Sequence, residues 1–389
     1  MKKETIVHTK SGLIARFDSS IGIFVYSPYT GLIFAVHKEQ AKQTVAWLNK
    51  KSSDGVDNRI RSALGIGWQN NSIGEYPSSH LLPNAKSFLT ILRPKFPILI
   101  NWLITGLCPL ACKYCYAEDL MRIPANEPQE RQIRAIVESI LSYNPLVVVL
   151  TGGDPLVSKY LLKAIQLLHN RTGIIVDTSA YKFDNKYLSI FKKFNVAIRI
   201  SLDSEIPSVN DKQRLLSKQS HLQPGRASTL SAAVKAICAC LKKGVTVSVQ
   251  TVATKDTAND LPVLGDKLYR LGLHSWRILK IQPSKKSLVG YEELVGSKEK
   301  QKKLYKHIFS ELKKAQNNRW KNLMSLQIIQ NERPNAVILV SPDGKFYTES
   351  NIHPEKLLLD EKIPTRPNLK KIFDKVGIHD HVKRYLNLE

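Results

Sequence analysis

No stretch of about eighteen apolar residues occurs anywhere in this chain of 389 residues, so it has no candidate for a helix that crosses a membrane. The opening residues, Met1-Lys2-Lys3-Glu4-Thr5, run on into polar ones and not into the apolar core of a signal peptide; the expected compartment is cytoplasmic. Cysteine is scarce. Only five occur, three of them crowded between Cys108 and Cys115 and none after Cys240, which excludes a disulfide framework and fits a reducing compartment. Carboxylates are too few to balance the bases. The 33 Asp and Glu against 58 Lys and Arg leave a net charge of +25, which draws polyanions or acidic partners, nucleic acid and an acidic peptide both qualifying. The lysines are scattered without the arginine and aromatic interleaving of nucleic-acid surfaces, which weakens the first of these. A hydrophobic fraction of 43% is ordinary for a chain that buries a full core, and the length implies one large domain with appended modules.

What is present is organised around Cys108-Pro-Leu-Ala-Cys112-Lys-Tyr114-Cys115-Tyr116, directly after the apolar run 98–104. Three thiolates this close can hold three corners of a metal cluster and leave a fourth iron bare. A structural zinc site completed by a distant histidine, or three buried thiols, are the bland readings. Cys238 and Cys240 lie two apart in a helical pattern and point to nearly opposite sides, so they cannot both complete a site. The sharper reading is a [4Fe-4S] cluster whose open iron takes a small-molecule ligand.

With its aromatic residue before the last cysteine, the C-x3-C-x2-C spacing resembles the signature of the radical S-adenosylmethionine (radical SAM) superfamily. The resemblance implies that SAM chelates the bare iron through its amino and carboxylate groups and that Tyr114 lies against the adenine. One electron then cleaves SAM to methionine and a 5'-deoxyadenosyl radical that abstracts hydrogen from a substrate. Gly152-Gly153-Asp154-Pro155, after an apolar strand, resembles the GGEP element of the superfamily, with Asp in place of the commoner Glu. Its glycines would let backbone approach the ligand, and its carbonyls and Asp154 would face the SAM ammonium. Ser201-Leu-Asp203-Ser204 and Asn210-Asp211-x-x-Arg214 resemble the fourth-strand region of the anaerobic sulfatase-maturase and peptide-maturase branch. That implies Ser201 near the ribose or carboxylate of SAM, Asp203 beside it, and Arg214 paired with the carboxylate. Thr178-Ser179-Ala180 stands where that branch has Thr-Asn-Gly, which makes Ser179 a further SAM contact; Val252 and Ala253 fall where adenine would pack.

From residue 97 to about 320 the chain repeats strand then helix. Strands are predicted at 98–105, 146–151, 174–179, 196–203, 245–252 and 275–282, and helices at 130–143, 159–170, 185–194, 229–243, 259–271 and 298–319. Six parallel units allow an open barrel or a doubly wound sheet, and the resemblance selects the α/β partial (β/α)6 TIM barrel. Polar residues alternate onto one face of these strands, Arg199, Ser201 and Asp203 on the fourth and Ser248 and Gln250 on the fifth, implying a lumen that holds a polar ligand. Residues 1–94 read as a small N-terminal β-rich module and linker, with strands near 13–17, 22–26 and 32–36 and a helix at 39–50, similar to a leader-binding module or serving as a cap. Residues 95–322 are the barrel. Residues 323–389, with a strand at 326–330, a hairpin around 337–348 and one final helix at 369–386, are similar to the SPASM or twitch extension, here without its cluster-binding cysteines.

The expected protein is a radical SAM enzyme with one [4Fe-4S] cluster, acting on a ribosomally synthesised peptide or protein, with an acidic leader to suit the basic charge. Its product would be a crosslink, an epimer or an oxidised residue, and its electron donor a flavodoxin or ferredoxin. RNA modification by the same chemistry is the first rival. A SAM-binding regulatory partner without turnover is the second.

Overall fold

The structure, a computed structural model, describes residues 4–8, 13–18, 22–28, 31–37, 94–121, 130–217, 228–281, 293–320, 324–329, 336–349, 357–360 and 369–386. Four N-terminal strands, β1 (Glu4–His8), β2 (Ile14–Asp18), β3 (Gly22–Ser27) and β4 (Leu32–His37), form an antiparallel meander in chain order. The sequence pattern finds the last three and misses β1, a five-residue strand with polar ends. The helix expected at 39–50 lies outside the described residues.

The main sheet starts at β5 (Leu99–Thr105) and continues through β6 (Val147–Gly152), β7 (Gly173–Thr178), β8 (Ala197–Ser201), β9 (Val247–Ala253) and β10 (Ser275–Lys280), each parallel to the next. The run Val147 to Thr151 is buried throughout because helices cover one face and barrel contents the other. β9 shows the alternation that marks a lumen. Val247, Val249, Thr251 and Ala253 are buried against helices, and Ser248, Gln250 and Val252 are half-buried on the inner side. The covering helices are amphipathic. On α2 (Glu130–Ser142), after the four-residue α1 (Glu118–Met121), the buried residues Ile133, Ile136, Val137 and Ile140 fall three and four apart. The others are α3 (Leu161–Leu168), α4 (Lys186–Lys193), α5 (Pro207–Gln213), α6 (Thr229–Lys243), α7 (Leu261–Arg270) and α8 (Lys298–Asn318).

The architecture is the partial barrel expected, with two additions. β11 (Ser325–Ile329) pairs in parallel with β10, making a seventh successive parallel strand where a separate module was expected to begin. At the other edge β12 (Ile338–Val340) lies parallel on β5 and turns back as an antiparallel hairpin to β13 (Phe346–Thr348), with β14 (Leu357–Asp360) outermost. The sheet order is β11-β10-β9-β8-β7-β6-β5-β12-β13-β14, so the C-terminal segment flanks the barrel strands on both sides. The single helix expected at 369–386 is two, α9 (Leu369–Lys375) and α10 (Ile378–Leu386), separated by a turn at Gly377, a poor residue for a helix interior.

One end of the barrel is capped. Arg16 of β2, 3% exposed, donates to the carbonyls of Asn144 (3.2 Å), Pro145 (3.0 Å) and Arg171 (2.8 Å), the loops that feed β6 and β7. Tyr26 lies over Gly173, where an added Cβ would meet its ring at 2.3 Å, and Phe24 meets Phe96 edge-on at 5.5 Å. From α10, the fully buried His381 accepts from the Ile98 amide (2.9 Å) through Nε2, and its Nδ1 lies 2.7 Å from the Ala336 carbonyl. That pair of partners selects the neutral Nδ1–H tautomer, and burial lowers the pKa to about 4. The N-terminal sheet and α10 thus close the barrel where its strands begin, leaving the C-terminal strand ends for a site.

Candidate active site

Beyond β5 the chain forms the cysteine loop, and its conformation is set by pairing with a segment a hundred residues later. Ala111 N–H donates to the Leu215 carbonyl (2.6 Å), Lys113 to Gln213 (3.2 Å) and Ser217 to Pro109 (2.9 Å), and Leu110 bridges Leu216. This zipper places Arg214 beside the loop. The Leu110 amide donates to Cys108 Sγ at 3.4 Å. Burial pushes the Cys108 thiol well up, and the nearby Asp154, Cys112 and Cys115 push the same way.

Gly153 is required by the packing of the loop. Its amide donates to the Thr105 carbonyl (2.8 Å), and an added Cβ would sit 2.0 Å from the Leu107 carbonyl oxygen. Gly152, at φ 131°, would bring a Cβ within 2.3 Å of the Thr105 oxygen. Both glycines let the end of β6 pack directly against the cysteine loop.

One cavity at the C-terminal strand ends is lined by Cys108, Cys112, Cys115, Tyr114, Gly152, Gly153, Ser179, Ser201 and Arg214, all expected from the sequence, and by Val252. Its empty space, open mouth included, is about 1370 Å³.

Two expected contacts lie behind the wall. Asp154 is fully buried and does not line the cavity: Oδ1 accepts from the Leu156 amide (3.0 Å) and Thr178 Oγ1 (2.6 Å), and Oδ2 from the Ser179 amide (3.0 Å) and Oγ (2.5 Å). Its reach is short, and it ties the end of β6 to the end of β7. Burial raises its pKa, against these donors. Asp203 is also fully buried. It accepts from the Tyr114 hydroxyl, from Arg214 Nε at 2.8 Å and Nη2 at 3.4 Å, and from the Val252 amide at 2.9 Å. Asp203 is therefore a positioning residue: it fixes Tyr114 and Arg214, which do reach the cavity. Burial opposes the Arg214 charge, but Asp203 and Tyr114 outweigh it and raise the pKa. Ala253 is buried away from the cavity, and Asp211 is structural, taking the Leu230 amide (3.2 Å) at the start of α6. Ala180 holds φ 59°, a left-handed conformation that favours glycine and so explains the resemblance of 178–180 to Thr-Asn-Gly.

Sequence reasoning missed further lining residues: Asn101, Arg277, Lys280, Glu349, Arg384 and Tyr385. Arg277 follows from the alternation of β10, where Trp276 and Ile278 are buried against helices. Glu349, Arg384 and Tyr385 arrive from the C-terminal segment and carry no local signal.

Residues 102–266 match the model of the radical SAM superfamily. Among curated proteins it is 24% identical over 192 residues to the Fe-coproporphyrin III synthase of Methanosarcina barkeri, covering 49% of this chain and 43% of that one. It is also 24% identical over 212 residues to the mycofactocin maturase MftC of Mycolicibacterium smegmatis, covering 54% and 51%. The chain thus spans about half the length of these relatives. Among solved structures it resembles Streptococcus suis SuiB bound to precursor peptide SuiA, with TM-score 0.53, 12% identity and coverage of 88% and 82%.

The superfamily uses a [4Fe-4S] cluster and SAM, and the donor set fits. Among the described residues no three His, Cys, Asp or Glu close round a single metal ion, yet Cys108, Cys112 and Cys115 line one cavity and perturb one another electrostatically. A four-iron cluster places each thiolate on a different iron, and three cysteines lining one cavity supply three such thiolates. An amide already aimed at Cys108 Sγ suits a sulfur that carries thiolate charge.

Proposed function

We propose that this chain is a radical SAM enzyme that abstracts hydrogen from a ribosomally synthesised peptide or protein. The observation that carries the reading is the single cavity on which the three cysteines, Tyr114, Ser201 and Arg214 converge at the C-terminal ends of the parallel strands. Cys108, Cys112 and Cys115 would hold the cluster, which supplies the electron that splits SAM. Tyr114 offers its ring face to the adenine while its hydroxyl is held by Asp203. Arg214 keeps part of its guanidinium for the SAM carboxylate because Asp203 uses only Nε and Nη2. Ser179, whose hydroxyl donates to Asp154, presents its remaining lone pair to the cavity.

A peptide substrate is favoured by the maturase relative, by the fold shared with a peptide-bound SuiB, and by the charge of +25, which suits an acidic leader. With no cysteine after Cys240, substrate would be held by the polar lumen and not by a second cluster. A flavodoxin or ferredoxin would deliver the electron. Anaerobically reconstituted protein given SAM and dithionite tests the reading. Release of 5'-deoxyadenosine is expected, together with a co-purifying peptide whose mass changes on turnover. Absence of 5'-deoxyadenosine refutes an enzyme, and a modified RNA in place of the peptide moves the substrate to the rival class.

A further inference from the structure

The cavity has more positive charge than its own groups neutralise. Five cations line it, Arg199, Arg214, Arg277, Lys280 and Arg384, against the carboxylates of Asp177 and Glu349. Arg214 is matched by Asp203 from behind, and Arg199 Nε pairs with Asp177 Oδ1 at 3.1 Å. No carboxylate among the described residues pairs with Arg277 or Arg384. Arg277 Nη1 shares the Gln250 side-chain oxygen with Arg199 Nη1, at 3.3 and 3.4 Å, so two guanidinium groups crowd one neutral acceptor. Arg277 Nε and Arg384 Nη1 are buried with no hydrogen-bond partner among the described residues. Buried charged donors in that state are costly unless something accepts from them.

The position separates this region from the SAM contacts. In sheet order Arg277 stands on β10, the barrel strand five places round from the β5 that leads to the cysteines. Arg384 comes from α10, and its charge is felt by Tyr385, as is that of Arg199, which links the two sides of the patch. Resting on the function proposed above, we propose that Arg277 and Arg384, on either side of Arg199, form an anion subsite that holds a carboxylate of the substrate. An acidic side chain of a peptide and a propionate of a tetrapyrrole share that chemistry. A guanidinium with a free N–H beside a second cation matches it in geometry and sign. Glu349, 5% exposed with Oε2 also unpartnered, keeps one anion at the edge of the patch and limits it to a single carboxylate rather than a phosphate-rich polymer.

The test measures binding, with SAM affinity of the wild-type protein recorded first, so that failure of the proposed function shows as absent SAM binding and is distinguished from failure of the subsite. Reconstituted protein with SAM is titrated in 150 mM salt, which screens the surface charge, with two probes, coproporphyrin III and a fluorescein-labelled hexaglutamate. Each is compared with its methyl ester. The expected result is that one acid binds at least about tenfold tighter than its ester, the scale of a single charged hydrogen bond. Arg277→Gln and Arg384→Gln should each abolish that preference, and Arg277→Lys, which retains the charge, should restore part of it. A preference for hexaglutamate supports both the subsite and the peptide substrate, whereas one shown by coproporphyrin III alone supports the subsite and refutes the peptide substrate proposed above. Equal binding of acid and ester in both arms, or a preference that survives in both glutamine variants, overturns the subsite.

Discussion

Asp203→Asn is the sharpest perturbation of this site, because one buried carboxylate holds two groups that reach the cavity. Each Asp203 oxygen accepts twice: Oδ1 from the Val252 amide and Arg214 Nη2, Oδ2 from Arg214 Nε and the Tyr114 hydroxyl. An asparagine has the same shape, but whichever way its amide turns, an N–H₂ faces two donors. Arg214, 6% exposed, then keeps its charge without a counter-charge. Removing one partner of a buried pair costs about 3–5 kcal/mol. At roughly 2–4 °C per kcal/mol for a domain of this size, the barrel should unfold about 6–20 °C lower. The second variant, Asp203→Asn with Arg214→Gln, removes both charges and should be less damaged than the sum of the singles, with a coupling of about 1–3 kcal/mol. Differential scanning fluorimetry and calorimetric SAM titration provide the readouts, SAM affinity falling in the single variant because Tyr114 and Arg214 lose their anchor. A midpoint shift under about 2 °C in Asp203→Asn, or strictly additive effects in the cycle, would refute the reasoning.

Three further outcomes follow from the same geometry. His381 has a folded pKa of about 4 against 6.5 unfolded, so its neutral form is the stabilising one; its contribution is full above pH 6.5, declines as pH falls to 4, and totals roughly 3 kcal/mol, seen as the difference between wild-type and His381→Asn stability curves from pH 7 to 4. Cys112→Ala should lose the iron-sulfur absorption band and SAM cleavage while Cys238→Ala, exposed on α6, keeps both, and wild-type iron analysis should find ~4 irons per chain. Gly153→Ala places a methyl against the Leu107 carbonyl and should cut iron loading through a displaced cysteine loop, at a stability cost of about 1–3 kcal/mol.

The six barrel strands are legible because buried parallel strands read as short apolar runs between amphipathic helices, as Val147 to Leu150 does before Thr151. The cysteine loop and Gly152-Gly153 are legible from spacing. Asp154 and Asp203 were assigned to the SAM face and lie behind it, because both follow the strand ends, where inside and outside alternation no longer says which way a side chain turns. The Leu107 and Thr105 carbonyls give the glycines a packing reason that stands beside the close ligand approach expected of them. β11 reads plainly as a strand, yet its pairing with β10 is a long-range fact that local pattern does not hold. For the same reason Glu349 and Arg384, from the C-terminal segment, are invisible as cavity residues until the chain folds.

The pairing of β12 with β5 has a consequence for how the protein is made. Ile338 is the register partner of Ile100, so the strand that leads into the cysteines waits for a neighbour synthesised 238 residues later (338 minus 100). At roughly 5–20 residues per second on the ribosome that delay is about 10–50 s. Until then β5 has an open edge, and Leu103, Ala117 and Leu120 lack Val337 and Leu339, the residues that complete their apolar cluster. Vectorial synthesis therefore keeps the cysteine loop uncovered on one side for tens of seconds, an interval in which the β5 edge is open to edge-to-edge pairing.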